Sequence, residues 1–159
     1  MTIATHSLTF FIGGAFGLFI ASGSPQPAPP APRHALVSNA IDTVLDRHED
    51  GHFYVDAMVN GQLVRFVVDT GASSVALTEA DAERVGLTVD PRQFTVVGMG
   101  AGGPVRGAFT TLESVAIGQK EANGVEGAIL KGASISLLGQ SFLSRVGSVR
   151  IVGDQMILR

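Results

Sequence analysis

The sequence predicts an all-β domain, a small barrel or sandwich, preceded by a separate N-terminal segment. From about Asn39 onward, apolar and polar residues alternate with the period of two that is typical of strands. Glycine and asparagine interrupt this pattern at short intervals, and 20 of the 159 residues are glycine. About seven strands and two short helices in roughly 115 residues fit a small barrel or sandwich, and nothing indicates a parallel α/β sheet.

The first predicted hairpin leads to an acidic residue. Apolar residues alternate through residues 53–59, and Asn60-Gly61 is a strong signal for a two-residue hairpin turn. A second strand over residues 64–68 then ends at Asp69. After a loop, residues 74–77 predict a short strand, and Thr78 opens a brief helix that Gly86 can end.

The rest of the domain is predicted as further strands. The apolar runs that indicate them cover residues 94–97, 105–117, 125–130, 135–138, 149–152 and 155–158. Gly153-Asp154 suits a tight turn between the last two.

The composition excludes several classes of function. Hydrophobic residues make up 45% of the chain, so it can bury a core. A net charge of −3 provides no basic surface for phosphates, and we expect no nucleic-acid partner. The absence of cysteine excludes disulfides, thiolate catalysis and cysteine metal sites. We expect no metal and no cofactor.

Residues 1–23 predict a membrane-directed segment. No Asp, Glu, Lys or Arg occurs at positions 2–32, and residues 8–21 are almost wholly apolar. This run is short for a spanning helix, which needs about 17–25 residues, and small residues suited to signal cleavage follow it. A retained anchor and a cleaved signal both stay open. We expect the anchor, because only His6 stands where a signal peptide would carry basic residues.

Residues 24–38 predict a linker between this segment and a domain over residues 39–159. Five prolines within residues 24–32 favour an extended, polyproline-like spacer. The first charge after the apolar run is Arg33, which under the positive-inside rule favours a cytoplasmic domain.

Asp69 is the candidate catalytic residue. It follows an apolar strand in the motif Val-Val-Asp-Thr-Gly-Ala, residues 67–72. The Thr70 hydroxyl can bond across a sharp loop, Gly71 lets the backbone approach the carboxylate, and Ala72 keeps the loop small. Asp69-Thr70-Gly71 alone could also be an ordinary turn capped by an aspartate.

With its flanking residues, the sequence resembles the retropepsin-like aspartic proteases over about residues 53–158. Within that family it is similar to the bacterial, membrane-anchored members with a single Asp-Thr-Gly. Besides the motif, two segments carry the resemblance in the family's order. The first resembles the flap, and the second resembles the floor beneath the active-site loop. The flap residues are Gly98, Met99, Gly100, Ala101, Gly102 and Gly103, and the floor residues are Leu137, Leu138 and Gly139.

The resemblance implies a small closed barrel of the acid-protease type with one or two short helices, and an aspartic endopeptidase that hydrolyses peptides or proteins. Such catalysis needs two carboxylates that share a proton. The chain has one Asp-Thr-Gly, so we expect a homodimer in which Asp69 of each copy completes the site. Apolar residues around the site predict hydrophobic side chains at the scissile bond. We expect a tether in a bacterial inner membrane with the domain in the periplasm, and the side of the membrane stays open.

Two positions depart from the retroviral pattern. At these two positions the retroviral members of the family carry an Asp and an Arg, which form an ion pair. This chain has Ser73 and Gln140 instead. Both charges are absent together, which predicts neutral hydrogen bonding in place of the pair.

A non-catalytic peptide-binding or assembly module that retains the fold is the alternative function. Ser73 and Ser74 do not indicate a serine hydrolase, because every histidine precedes residue 53 and no Gly-x-Ser-x-Gly motif occurs. His48 and His52 have the spacing of a metal pair, but the intervening Asp50-Gly51 would break the required helix, so we predict solvated turn residues.

Overall fold

The computed structural model describes residues 42–100 and 102–159, which belong to one compact unit, Ser38–Arg159. The predicted membrane segment, the predicted linker and Ala101 of the predicted flap lie outside the described residues. Within the described residues, no helix combines the length and apolar character needed to cross a bilayer.

The described residues form ten strands, two short helices and one 3-10 turn. In chain order these are β1 Thr43–Asp46, β2 Tyr54–Val59, β3 Gln62–Val68, β4 Val75–Thr78, α1 Glu79–Arg84, the 3-10 turn Pro91–Gln93, β5 Thr95–Gly100, β6 Gly103–Ile117, β7 Lys120–Leu130, β8 Ser136–Leu138, α2 Gln140–Leu143, β9 Val149–Val152 and β10 Gln155–Leu158.

Six of these strands close into a barrel. They pair in the order β2-β3-β8-β4-β7-β6, and β6 pairs with β2 through Met58↔Ala116 and Val59↔Val115. Strand β5 pairs only with β6 and extends the sheet beyond the barrel as a hairpin arm. The predicted all-β fold with a small closed barrel and short helices is therefore confirmed.

Two parallel pairings bring distant parts of the chain together. Strand β8 pairs with β3 in parallel, with Val68 opposite Leu138, and β4 pairs with β7 in parallel. The carboxyl ends of β3 and β8 therefore lie side by side. The barrel interior is apolar, and its largest fully buried side chains include Phe66, Leu77, Leu112, Ile129, Leu138 and Phe142.

The local signals in the sequence correspond to local structure. The Asn60-Gly61 turn joins β2 to β3 with positive φ angles of 48° and 79°, as a two-residue hairpin requires. Thr78 caps α1, its side chain accepting a hydrogen bond from the Asp81 N–H, and Gly86 follows the helix with a φ of 81°.

Some boundaries differ from the prediction. Strand β7 begins at Lys120 rather than near residue 125, because a tight turn with Gly118 at a φ of 56° joins it directly to β6. Strand β1 was not predicted. It forms a second, three-stranded sheet in the order β1-β10-β9, where Thr43 lies opposite Leu158.

Candidate active site

Asp69 lies where β3 leaves the barrel. Its backbone N–H donates to the Leu138 carbonyl at 3.1 Å, which continues the pairing of β3 with β8 by one residue. Val67 and Val68 before it are buried, and Asp69 itself is half-buried. The barrel therefore fixes the backbone of Asp69 while leaving its carboxylate accessible.

The Asp-Thr-Gly loop folds back onto the carboxylate. The Gly71 N–H donates to Asp69 Oδ1 at 2.9 Å, and the Ala72 N–H donates to the Asp69 carbonyl at 3.3 Å. A Cβ at Gly71 would stand 3.3 Å from Asp69 Oδ1, a tight contact, so a glycine suits this close approach. The backbone of the loop thus orients the carboxylate.

The predicted floor supports this loop from below. A Cβ at Gly139 would lie 2.2 Å from the Ser74 carbonyl oxygen and 2.8 Å from that of Ala72, so only glycine fits between the floor and the loop. Immediately after it, the N–H of Gln140 donates to the Ala72 carbonyl at 2.9 Å, and that of Ser141 donates to the Ser73 carbonyl at 3.0 Å.

Gln140 also holds the loop through its side chain. Its Nε2 donates to the Thr70 carbonyl at 2.9 Å. Where retroviral members have the Arg of the ion pair, this chain therefore has a neutral amide that forms a hydrogen bond. The bond is made to the loop backbone rather than to the Ser73 side chain.

The predicted flap forms the tip of the β5–β6 hairpin. Gly100 pairs with Gly103 and Met99 with Pro104, and the Met99 side chain is 76% exposed. A bulge interrupts the pairing between Val96 and Gly98. The hairpin tip thus carries an apolar side chain that has no packing partner within the barrel core.

Two cavities border the active-site loop. The larger, about 580 Å³, lies between the Asp69 loop, β7 and the β5–β6 hairpin arm, which is called the flap arm below. It is lined by Ser73, Ser74, Val97, Phe109, Thr110, Thr111, Glu126 and Gly127. The smaller, about 350 Å³, contains Asp69 and is lined by Asp50, His52, Tyr54, Val67, Val68, Ile135 and Leu137.

Asp50, His52 and Tyr54 were not predicted as part of the site. The signal that locates them is the strand register: Tyr54 lies opposite Val67, so the same register extended by two residues places His52 opposite Asp69. His48 and His52 are exposed residues of a turn. No metal-binding group of three or more His, Asp or Glu side chains occurs in residues 42–100 and 102–159.

The Asp50 carboxylate in this turn accepts two hydrogen bonds. The Tyr54 O–H donates to Asp50 Oδ2 at 2.5 Å, and the His52 N–H donates to Asp50 Oδ1 at 3.0 Å. Chiefly through the tyrosine bond, the pKa of Asp50 is held well below its usual value. The same bond raises the pKa of Tyr54.

Comparison with known proteins agrees with this geometry. The family model described as "gag-polyprotein putative aspartyl protease" matches residues 55–145, which include Asp69, the flap arm and the floor. A solved retropepsin-like aspartic protease from Rickettsia conorii is 40% identical, with a TM-score of 0.64, and the match covers 74% of this chain and 87% of that one. The chain belongs to the retropepsin-like aspartic protease family.

Two more proteins are similar to this retropepsin-like chain. EIAV protease, solved in complex with the inhibitor HBY-793, is 21% identical with a TM-score of 0.52, covering 62% of this chain and 91% of that one, and shows the fold alone. An uncharacterized protein from Rickettsia prowazekii (strain Madrid E) is 40% identical over 128 residues, 80% of this chain and 55% of the relative. The chain spans about half the length of the curated relatives it matches.

Proposed function

We propose that this retropepsin-like chain is an aspartic endopeptidase, active as a homodimer in which each copy contributes Asp69. The observation that carries the proposal is the construction of the Asp69 loop. A half-buried carboxylate at the end of a barrel strand is oriented by the Gly71 N–H and borders a cavity open to a ligand. The Gln140 and Gly139 backbone holds the loop from below.

The chemistry follows from two such carboxylates that share one proton across a two-fold axis. The ionised Asp69 takes a proton from a water molecule, whose oxygen attacks the peptide carbonyl carbon. The protonated Asp69 of the other copy gives its proton to the carbonyl oxygen. Collapse of the tetrahedral intermediate breaks the C–N bond: the amine leaves with a proton from the carboxylate that first accepted one, and a hydroxyl of the intermediate returns its proton to the other Asp69 as the new carboxyl group forms. The two pKa values of such a dyad belong to the pair.

The substrate is an extended polypeptide that lies between the flap arm and the floor. Extended peptides bind at exposed strand edges through backbone hydrogen bonds, while alternate side chains enter pockets. The two cavities on either side of the Asp69 loop are placed to receive such side chains. The exposed Met99 at the hairpin tip supplies an apolar surface above them.

The catalytic role is tested with Asp69→Asn, which keeps the shape of the side chain and removes its acid. We expect peptide cleavage to fall by about a thousandfold or more, since a general acid-base group contributes about 10²–10⁴ in rate. Asp56→Asn is the matched control, because Asp56 is an exposed strand aspartate whose one ion pair, to Arg65, is 3.8 Å long. Full activity of Asp69→Asn would overturn the proposal.

The shared site is tested by mixing chains. If each site needs one Asp69 from each copy, a ninefold excess of the Asp69→Asn chain leaves about one tenth of the wild-type activity, because wild-type dimers become rare. Unchanged activity after subunit exchange, checked by the mass of mixed dimers, would contradict a shared site. Peptide binding by both chains with no cleavage by either would favour the alternative, a binding or assembly module.

A further inference from the structure

We propose that the smaller cavity beside Asp69 binds a basic side chain of the substrate, and that the Asp50 carboxylate receives its positive charge. This inference rests on the proposed function, because it takes the bound polypeptide to be the substrate. The apolar residues around the motif predicted hydrophobic side chains at the scissile bond. The cavity instead gives one subsite a preference for a basic side chain.

The strand register builds this cavity. Strands β2 and β3 are antiparallel with Tyr54 opposite Val67, and the Val68 N–H donates to the Phe53 carbonyl at 2.9 Å. The turn that precedes β2 therefore stands next to Asp69. It supplies the polar wall of the cavity. Apolar side chains from β3 and from the region of β8 supply the opposite, apolar wall: Val67, Val68, Ile135 and Leu137.

The polar wall has a fixed negative charge. Asp50 is held from two directions, by the Tyr54 O–H at 2.5 Å and by the backbone N–H of His52 at 3.0 Å. Both donors stabilise the ionised form, which keeps the pKa of Asp50 low. The Asp50 side chain is still 42% exposed, so its carboxylate is accessible to a ligand.

Among the residues that the structure describes, no lysine or arginine lines the cavity to neutralise this charge. The basic side chains near the wall have other contacts. Arg65 lies over the Tyr54 ring at 5.2 Å and pairs with Asp56, and Arg47 bonds to Asp154 on the β9–β10 turn. The Nδ1 atoms of His48 and His52 are 3.4 and 3.3 Å from Asp50 Oδ1.

A lysine or arginine side chain fits both parts of the cavity. Its methylene stem can lie along the apolar wall of valine, isoleucine and leucine while its charged end reaches the Asp50 carboxylate, as long basic side chains commonly do. The contact would be a charge-assisted hydrogen bond, which is stronger than a neutral one. A glutamate in the same place would face both Asp50 and Asp69 and be repelled.

The test compares matched peptides that place lysine, norleucine or glutamate in turn at each position flanking the scissile bond. Norleucine keeps the apolar stem and lacks the charge. At one position we expect lysine to exceed norleucine in kcat/KM by about tenfold, as one charge-assisted bond allows, with glutamate the poorest. In Asp50→Asn, which retains an acceptor for the His52 N–H, the lysine-to-norleucine ratio should fall to about one.

Two further variants separate the possible outcomes. Asp56→Asn should leave the ratio unchanged, because Asp56 lies on β2 outside the cavity lining. Affinities of the same peptides for the Asp69→Asn chain, measured by fluorescence polarisation, report on the subsite without any turnover. A lysine preference in binding that Asp50→Asn abolishes supports the inference even where cleavage is absent. An unchanged ratio in Asp50→Asn overturns it, while Asp69-dependent cleavage would still support the proposed function.

Discussion

Gly139 gives the sharpest test of how the floor holds the active-site loop. A Cβ at this position would stand 2.2 Å from the Ser74 carbonyl oxygen and 2.8 Å from the Ala72 carbonyl oxygen. Both oxygens belong to the backbone, so no side chain can rotate away to relieve the contact. In Gly139→Ala either the loop or the floor must therefore move.

The size of the effect follows from that overlap. An ordinary carbon-oxygen contact is about 1 Å longer than the 2.2 Å between this Cβ and the Ser74 carbonyl oxygen. Overpacking of this kind lowers the free energy of unfolding by about 1–3 kcal/mol or more. For a domain that spans Ser38–Arg159, that lowers the melting temperature by about 4 °C for each kcal/mol. A displacement of about 1 Å at a catalytic group can reduce the rate by about a hundredfold.

Thermal unfolding and kcat/KM at a temperature well below the transition should be measured on the same preparations. Val115→Ala is the control: Val115 is fully buried in β6, and its truncation costs about 2 kcal/mol without touching the Asp69 loop. We expect both variants to melt earlier and only Gly139→Ala to lose activity per folded molecule. Equal residual activity in the two variants would refute the argument that the floor positions Asp69.

Three further predictions concern single contacts. Gln140→Leu removes the amide bond to the active-site loop and should lower kcat/KM by about tenfold, measured against an unchanged fold by circular dichroism. Ser136→Ala removes a fully buried hydroxyl that donates to Asp81 at 2.6 Å, and denaturant unfolding should show a loss of about 1–3 kcal/mol. The hydrogen bond from Arg159 lowers the pKa of Asp42, so this pair stabilises the fold above about pH 4 and is lost as the carboxylate protonates. Asp42→Asn should therefore flatten the fall in melting temperature as the pH drops below about 4.

Features set by neighbouring residues were predictable from the sequence. The Asn60-Gly61 turn, the Thr78 cap and the strand that runs into Asp69 each depend on a few adjacent positions, and each occurs as predicted. A β domain was predictable because strands such as β2 alternate between a buried and an exposed face, although β4 is buried along its whole length. The resemblance of the motif, flap and floor to one family added that the barrel is closed, which the strand pattern alone left open between a barrel and a sandwich.

Features set by pairing across the chain were not predictable in the same way. Strand β1 is four residues long and pairs with β10, more than a hundred positions later, so no local pattern marks it. Asp50 reaches the site only because the β2–β3 register places its turn beside Asp69. Read locally, the same residues are a polar turn with two histidines.

The replacement of a charged pair by Gln140 has a consequence for how the site responds to its surroundings. The bonds from Gln140 and Ser141 to the loop run from the Gln140 amide and from backbone N–H groups to backbone carbonyls, and none of these groups titrates. The ion pair between Asp42 and Arg159 instead weakens in acid and in salt. Acid should thus loosen the three-stranded sheet that contains β1 while the support of Asp69 persists. In the proposed acid-base cycle, Asp69 gains and loses a proton, while the bonds that support its loop from below involve no group that titrates.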